Sequence, residues 1–284
     1  MFTIAVASTK GGVGKTTIAA NLGGLLADTG SRVLLIADVQ PSLSSYYAML
    51  GAAAHGLTRM CISGALTPDC ISEIELSSQI RPAPAGCLHI VVSDTANGKL
   101  QDWMADKIDT LFRIKMAIRS VSLEGRYDIA IIDTQGAVGH LQDAAINAAD
   151  MIISPASPDM ISAREFVRGT MKLLERHESV AALGVGFTVP PMKAVINRTE
   201  NTIDSRVMAE HIRSKFLDMR GKVSVLETTL PSIVAYRKAA TARVPVHWID
   251  PGRASALMHS LMWELIPEFH GKCAPGFIPS KLNK

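Results

Sequence analysis

The sequence predicts an α/β fold, a mostly parallel twisted sheet with helices on both faces, on three observations. Short apolar runs rich in Val, Ile and Leu alternate along the chain with longer stretches of helical period, as strands buried between two helical layers do. The first of these runs, Phe2 to Ala7, feeds a glycine-rich loop that leads directly into a helix-forming stretch, Thr16 to Ala27. Of the 284 residues, 48% are apolar and 19% charged, which supplies a core and excludes disordered, collagen-like and coiled-coil chains.

The elements follow in order. After 2–7 and 16–27, the run Arg32 to Ala37 (RVLLIA) reads as a second buried strand, and residues 51–87 as irregular, with Gly, Pro and Ser scattered through short apolar pieces. Leu88 to Val92 reads as a strand, Leu100 to Ser122 as one long amphipathic helix, and Tyr127 to Ile132 as a buried strand ending in Asp133. Further strands are expected at 151–154, 193–196 and 223–226, and helices at 159–177, 202–217 and 253–266. With no repeat and no linker, residues 1–270 are expected to form a single domain, followed by an irregular tail, 271–284, containing Pro275, Gly276 and Pro279.

Composition narrows the class further. Cys61, Cys70, Cys87 and Cys273 lie far apart, without a CxxC pair, so buried free thiols are expected rather than a disulfide scaffold or a metal knuckle. No stretch approaches the roughly 18 apolar residues of a membrane span. The apolar start meets Lys10 without a basic leader region, so a cytoplasmic protein with no membrane partner is expected. Charge is uneven: residues 1–150 hold 11 Lys+Arg against 14 Asp+Glu, a net −3, and residues 151–284 hold 18 against 12, a net +6.

The segment STKGGVGKTT, Ser8 to Thr17, carries the chemistry. Placed between a strand and a helix, it has the form of a phosphate-cradling loop: glycines let backbone N–H groups turn toward an anion, and the helix adds the positive end of its dipole. Gly11, Gly12, Val13, Gly14, Lys15, Thr16 and Thr17 are the expected nucleotide contacts. Lys15 would neutralise the β- and γ-phosphates, and the Thr16 hydroxyl would ligate Mg²⁺. ATP and Mg²⁺ are the expected ligands.

Thr9 stands where the first glycine of a Walker A loop, GxxxxGK[ST], belongs, and a second lysine, Lys10, follows it. In this the chain resembles the deviant-Walker-A P-loop ATPases of the ParA/MinD family. The resemblance implies that Lys10 reaches across a nucleotide-sandwich dimer to the partner's phosphates, in the manner of an arginine finger. The Walker B strand of that family is similar to Tyr127–Asp133, so Asp133 would hold a Mg²⁺-bound water. Gln135, in the following Thr134-Gln135-Gly136, either polarises the attacking water or caps a turn. Val195-Ile196-Asn197-Arg198 resembles the family's base-reading strand end, where Asn197 pairs with adenine or serves as a turn residue. Family members usually carry two acids spaced by one residue after the second strand, whereas Ile36-Ala37-Asp38-Val39-Gln40 retains one. Alignment backward from Gln40-Pro41 makes Asp38 the acid that orients the attacking water.

Segments 43–47, 141–143, 154–155 with 162–166, and 235–240 extend the resemblance to ParA-like partition proteins of mobile genetic elements. That reading implies an ATP-dependent homodimer on the nucleoid, non-specific DNA as a ligand, and a ParB-like adaptor that stimulates release by hydrolysis. The tail, with Pro275 and Pro279, cannot form the C-terminal amphipathic helix of a MinD-type membrane cycle. Residues 130–150 lack the cysteines of an iron-protein cluster. The phosphate loop begins at residue 8, so no helix-turn-helix is expected ahead of it. Lys10 and the lack of a substrate motif disfavour a metabolic ligase. The single acid at Asp38 leaves open a nucleotide-dependent binding switch with negligible hydrolysis, and a positioning regulator is the other alternative. For DNA, the basic excess of 206–243 nominates Arg213, Lys215, Arg220, Lys222, Arg237 and Lys238. Arg164, Arg168, Lys172 and Arg176 recur every fourth residue, as either a DNA track or an ion-paired helix face.

Overall fold

A computed structural model describes residues 1–76, 85–94, 99–107, 109–120, 123–136, 139–184, 186–217 and 221–278, without the side chains of 160–162. Nine strands form one sheet: β1 (Phe2–Val6), β2 (Arg32–Ile36), β3 (Met49–Gly51), β4 (Ser72–Ile74), β5 (Cys87–Val91), β6 (Ile129–Asp133), β7 (Met151–Ala156), β8 (Met192–Thr199) and β9 (Val223–Pro231). Their order is β3-β4-β5-β2-β6-β1-β7-β8-β9, parallel from β5 to β9 and antiparallel at the β3 and β4 edge. The expected mostly parallel α/β sheet is therefore present.

Alternation along each central strand sorts its side chains between two layers. Ile4, Val6, Val33, Leu35, Ile129, Ile131 and Ile153 face a core closed by α1 (Lys15–Asp28), α8 (Val234–Ala242), α9 (Val246–Ile249) and α10 (Arg253–Leu265). On the other face, Leu34, Ile36, Ala130 and Ile132 meet α2 (Leu57–Ser63), α3 (Lys99–Ala105), α4 (Thr110–Ile118) and α5 (His140–Ala148). Further along that face, Ile152, Met192 and Ala194 meet α6 (Met160–Ala181) and α7 (Ile203–Leu217). Strands buried on both faces read as unbroken apolar runs, which is why β1, β2 and β6 are legible.

Three expectations are corrected. The single helix predicted over 100–122 is two helices, α3 and α4. Asp106 and Asp109 favour turns over helix interior, and Asp109 stands at the start of α4 with its carboxylate 2.5 Å from Arg113. The region 51–87 contains β4 and α2, too short to show a period. β9 runs to Pro231, well past the expected 226, and α8 follows it. The tail has no regular element over 271–278 and is docked: buried His259 donates from Nδ1 to the Ser255 carbonyl (2.7 Å) and accepts the Ala274 N–H at Nε2 (3.0 Å), with Phe277 stacked on its ring. Burial holds this imidazole down to about 4, so it is the neutral ring that these two bonds require.

Among the described residues no helix is long and apolar enough to cross a membrane. All four cysteines are free thiols, Cys61 and Cys70 buried, Cys87 and Cys273 half-buried.

Candidate functional site

The site forms where the C-terminal ends of β1, β2 and β6 come level. Register pairs Val6 with Asp133, so the last residue of β6 faces the start of the phosphate loop. Gly12 and Gly14 have φ of +74° and +92°, a region that β-carbon-bearing residues enter only with strain, so the loop's backbone depends on these two glycines. Gly14 is also the residue before α1, and α1 begins with no capping side chain and no acidic residue in its first turn. Its first N–H groups thus point from a positive helix end toward the loop, suited to an anion.

Three charges converge beneath that loop. Lys15 is buried, and its ammonium donates to the Lys10 carbonyl at 3.0 Å. Burial lowers its pKa, opposed by the charges of Asp133 and Asp38. Thr16 Oγ1 donates to Asp133 Oδ2 at 2.6 Å, while Asp133 Oδ1 is buried without a hydrogen-bond partner. Burial is the largest influence lifting the Asp133 carboxyl to about 7, and the neighbouring charge of Asp38 adds to it against the Thr16 bond. Asp38, 4% exposed, accepts the Val39 N–H at 2.6 Å. Burial lifts it to about 6 against that bond and the Lys15 charge.

Two desolvated carboxylates, one with an orphaned oxygen, and a threonine hydroxyl make a hard, all-oxygen donor set. Among the described residues no cluster of three His, Cys, Asp or Glu side chains could hold a metal by itself. The set therefore fits Mg²⁺, which is usually held by one or two protein oxygens together with phosphate oxygens and water, better than a metal needing a complete protein cage.

The remaining expected residues surround this centre. Lys10 forms an ion pair with Glu165 of α6 at 3.1 Å, within its own protomer. Gln135 is half-buried, and its carbonyl accepts from Gln142 Nε2 at 3.5 Å. Asn197 is buried at the C-terminal half of β8, and its amide donates to the Val13 carbonyl at 2.7 Å. A β-carbon on Gly14 would lie 2.3 Å from that amide nitrogen, so β8 and the phosphate loop meet at these two residues. Beside them opens a cavity of about 980 Å³ lined by Gly14, Thr17, Asn197, Arg198, Tyr236 and Arg237, roomy enough for a nucleoside. Arg198 adopts φ +60°, a strained conformation for a side-chain-bearing residue, at the rim of this cavity.

Sequence reasoning missed three contacts. A β-carbon at Gly136 would sit 2.4 Å from Gly11 Cα and 2.5 Å from Gly11 N, so the segment after β6 lies directly on the phosphate loop. A β-carbon at Gly169 of α6 would lie 2.0 Å from Thr9 Oγ1. Buried Asn21 of α1 donates to the Thr17 carbonyl (2.7 Å) and to Tyr46 Oη (2.9 Å), and accepts the Val246 N–H at Oδ1 (2.6 Å). The glycines carry a signal in sequence, since each stands beside residues already singled out; Asn21 carries none.

The residues nominated for DNA do not share one face. Arg213 is spent internally, donating to Glu210 (3.3 Å) and to the carbonyls of Leu226 and Glu227 (3.2 and 3.3 Å), and Lys222 is paired with Glu178 at 2.6 Å. Both side chains thus tie elements together. Lys215 is exposed on α7, and Arg237 and Lys238 on α8 across the sheet. Arg220 lies outside the described residues.

A family profile described as an AAA domain matches residues 1–182. A ParA family protein of Chlamydia pneumoniae is 30% identical over 203 residues, covering 66% of this chain and 72% of that protein. The sporulation initiation inhibitor protein Soj of Bacillus subtilis is 25% identical over 256 residues, covering 87% of this chain and 91% of Soj. Among solved structures, the septum site-determining protein MinD of Pyrococcus horikoshii, complexed with Mg-ADP, superposes with a TM-score of 0.67 at 18% identity over 95% of this chain and 97% of that one.

Proposed function

This chain belongs to the ParA/MinD family of P-loop NTPases, and from that premise we propose that it is an ATP-driven partition protein. In this reading ATP and Mg²⁺ bind at the phosphate loop, two protomers close face to face over the nucleotide, and the dimer holds DNA without regard to sequence. A ParB-like adaptor on the cargo then stimulates hydrolysis and release, and the protein resides on the nucleoid. The observation that carries the reading is the centre formed by Lys15, Thr16, Asp38 and Asp133, whose orphaned oxygen and mutually unfavourable burial are relieved by a cation and a triphosphate.

Each residue has a task in that scheme. The N–H groups of Gly11 to Thr17 bind the phosphates, with Lys15 leaving the Lys10 carbonyl to neutralise the β- and γ-positions. Thr16 and Asp133 hold Mg²⁺, which supplies charge neutralisation of the phosphate oxygens. Asn197 and the cavity beside it receive the base. Asp38 orients and deprotonates the attacking water, and Gln135 helps to place it. Lys10 exchanges Glu165 for the partner protomer's γ-phosphate on dimerisation, trading an exposed ion pair for a desolvated contact with a larger charge.

Light scattering coupled to gel filtration tests this reading. The protein is expected as one subunit with ADP and as two with ATP, and Lys10→Ala is expected to lower phosphate release. A mass of one subunit under every nucleotide, for the wild type and for Asp38→Ala, overturns it.

A further inference from the structure

Arg164, Arg168 and Lys172 are exposed on α6, one turn apart, so successive charges step along the helix by about 6 Å. Among the described residues none of the three forms an ion pair. Arg176, the fourth in the series, is bonded to Asp143, and Glu178 is held by Lys222, which leaves Glu165, paired with Lys10 in the single protomer, and Glu175 as the acids beside the row. A groove of about 400 Å³ runs between α6 and α7, with Arg164, Arg168 and Lys172 on one wall and His211 and Lys215 on the other. A second groove, of about 420 Å³, flanks the same Arg168 and Lys172 and ends against Thr9 of the phosphate loop.

We propose that this α6–α7 ridge is where the phosphate backbone of duplex DNA lies. The proposal rests on the DNA-binding reading above and moves the footprint away from Arg213, Lys222 and Arg237. Solvated cations that outnumber the acids beside them, here Arg164, Arg168, Lys172 and Lys215 against Glu165 and Glu175, can exchange their counterions for phosphates at little desolvation cost, and such a row on an exposed helix gives affinity without reading sequence. Val167 and Met171, at successive turns of the groove, would also suit the apolar anchors of an acidic helix from a protein partner, and the row of four cations in the same groove against Glu175 favours the polyanion. Contact between Gly169 and Thr9 places this surface against the phosphate loop, so the two ligands would sit on opposite sides of one packed contact.

The test is fluorescence anisotropy of a labelled random-sequence 60-base-pair duplex, with MgATP, over 50–200 mM KCl. The triple variant Arg164→Ala, Arg168→Ala, Lys172→Ala is expected to bind at least about 10-fold more weakly at 100 mM. The slope of log affinity against log salt should shrink by roughly 0.9 for each phosphate contact removed. Glu175→Lys, in the same groove, is expected to tighten binding and steepen the slope, an effect that misfolding cannot produce. Wild-type affinity and slope in both variants would overturn the proposal and leave an acidic protein segment as the occupant of the groove. Loss of DNA in Arg237→Ala, Lys238→Ala with the triple variant unchanged would overturn the α6 placement while keeping the DNA-binding reading. A wild type that binds no duplex under MgATP removes that reading, and the proposal with it.

Discussion

The centre beneath the phosphate loop and the basic surface of the C-terminal half use charge in opposite ways. In the centre, Asp38, Asp133 and Lys15 are buried together, and burial pushes all three toward their neutral forms. On the surface, Arg164, Arg168 and Lys172 remain in water, and the fold gains nothing from them. Charges held against their preference are placed by the backbone, so strand ends and glycines fix where they stand. Charges left in solvent answer to whatever partner arrives, and the sheet does not constrain their positions. The contrast predicts that substitutions in the centre act on chemistry and those on the surface on association.

The largest effect is expected at Asp38. Asp38→Ala should lower the rate of phosphate release by about 10²–10⁴-fold, the range of a positioned general base, with nucleotide affinity nearly retained. Equal turnover by the variant would show that the centre has another base. Lys15→Ala comes next, with nucleotide binding in a fluorescent-analogue titration weakened by at least about 100-fold. Gly136→Ala places a methyl carbon 2.4 Å from Gly11, and the expected cost is about 1–3 kcal/mol of overpacking together with weaker nucleotide binding. Unchanged thermal stability and affinity would mean that the two loops part easily.

The pH dependence of the nucleotide-free protein follows from the raised carboxyls. Asp133 and Asp38 bind protons more tightly folded than unfolded. The stability they contribute is therefore full below about 4 and is lost as pH rises through about 6 and 7. Thermal melts should show the wild type losing about 1–3 kcal/mol more than Asp133→Asn between pH 5 and pH 8, and Mg²⁺ with nucleotide should abolish the difference. Parallel curves would place the burden of burial elsewhere. The smallest effect sharpens the contrast within the surface itself. Arg213→Ala, losing three internal bonds, should cost about 1 kcal/mol in a urea melt, and Arg168→Ala less than about 0.5.

What was legible in the sequence follows the same division. Ser8–Thr17 and Tyr127–Asp133 could be read because local geometry demands those residue types: glycines for positive φ, an apolar strand ending in a carboxylate. The sheet was legible wherever strands are buried on both faces. The three-residue strands β3 and β4 were not, because pairing of β4 with β5 and of β3 with β4 makes them strands and no period can build over so short a run. The split between α3 and α4 turned on two aspartates inside an otherwise helical pattern. Which cations are spent and which are available could not be read at all: Arg213 and Arg168 look alike in one dimension, and only the carbonyls at the Leu226–Glu227 bend of β9 separate them.

Asn21 gives the molecule a linkage that none of the motifs contains. One carboxamide joins the first turns of α1, the tyrosine beyond β2 and the backbone at the start of α9. The loop after β2 that holds Tyr46 and the start of α9 are therefore both hydrogen-bonded to α1, the helix that begins at the phosphate loop. Removing that one amide would take away the bonds to the Tyr46 hydroxyl and the Val246 N–H together, so the connection among these three segments rests on a single side chain.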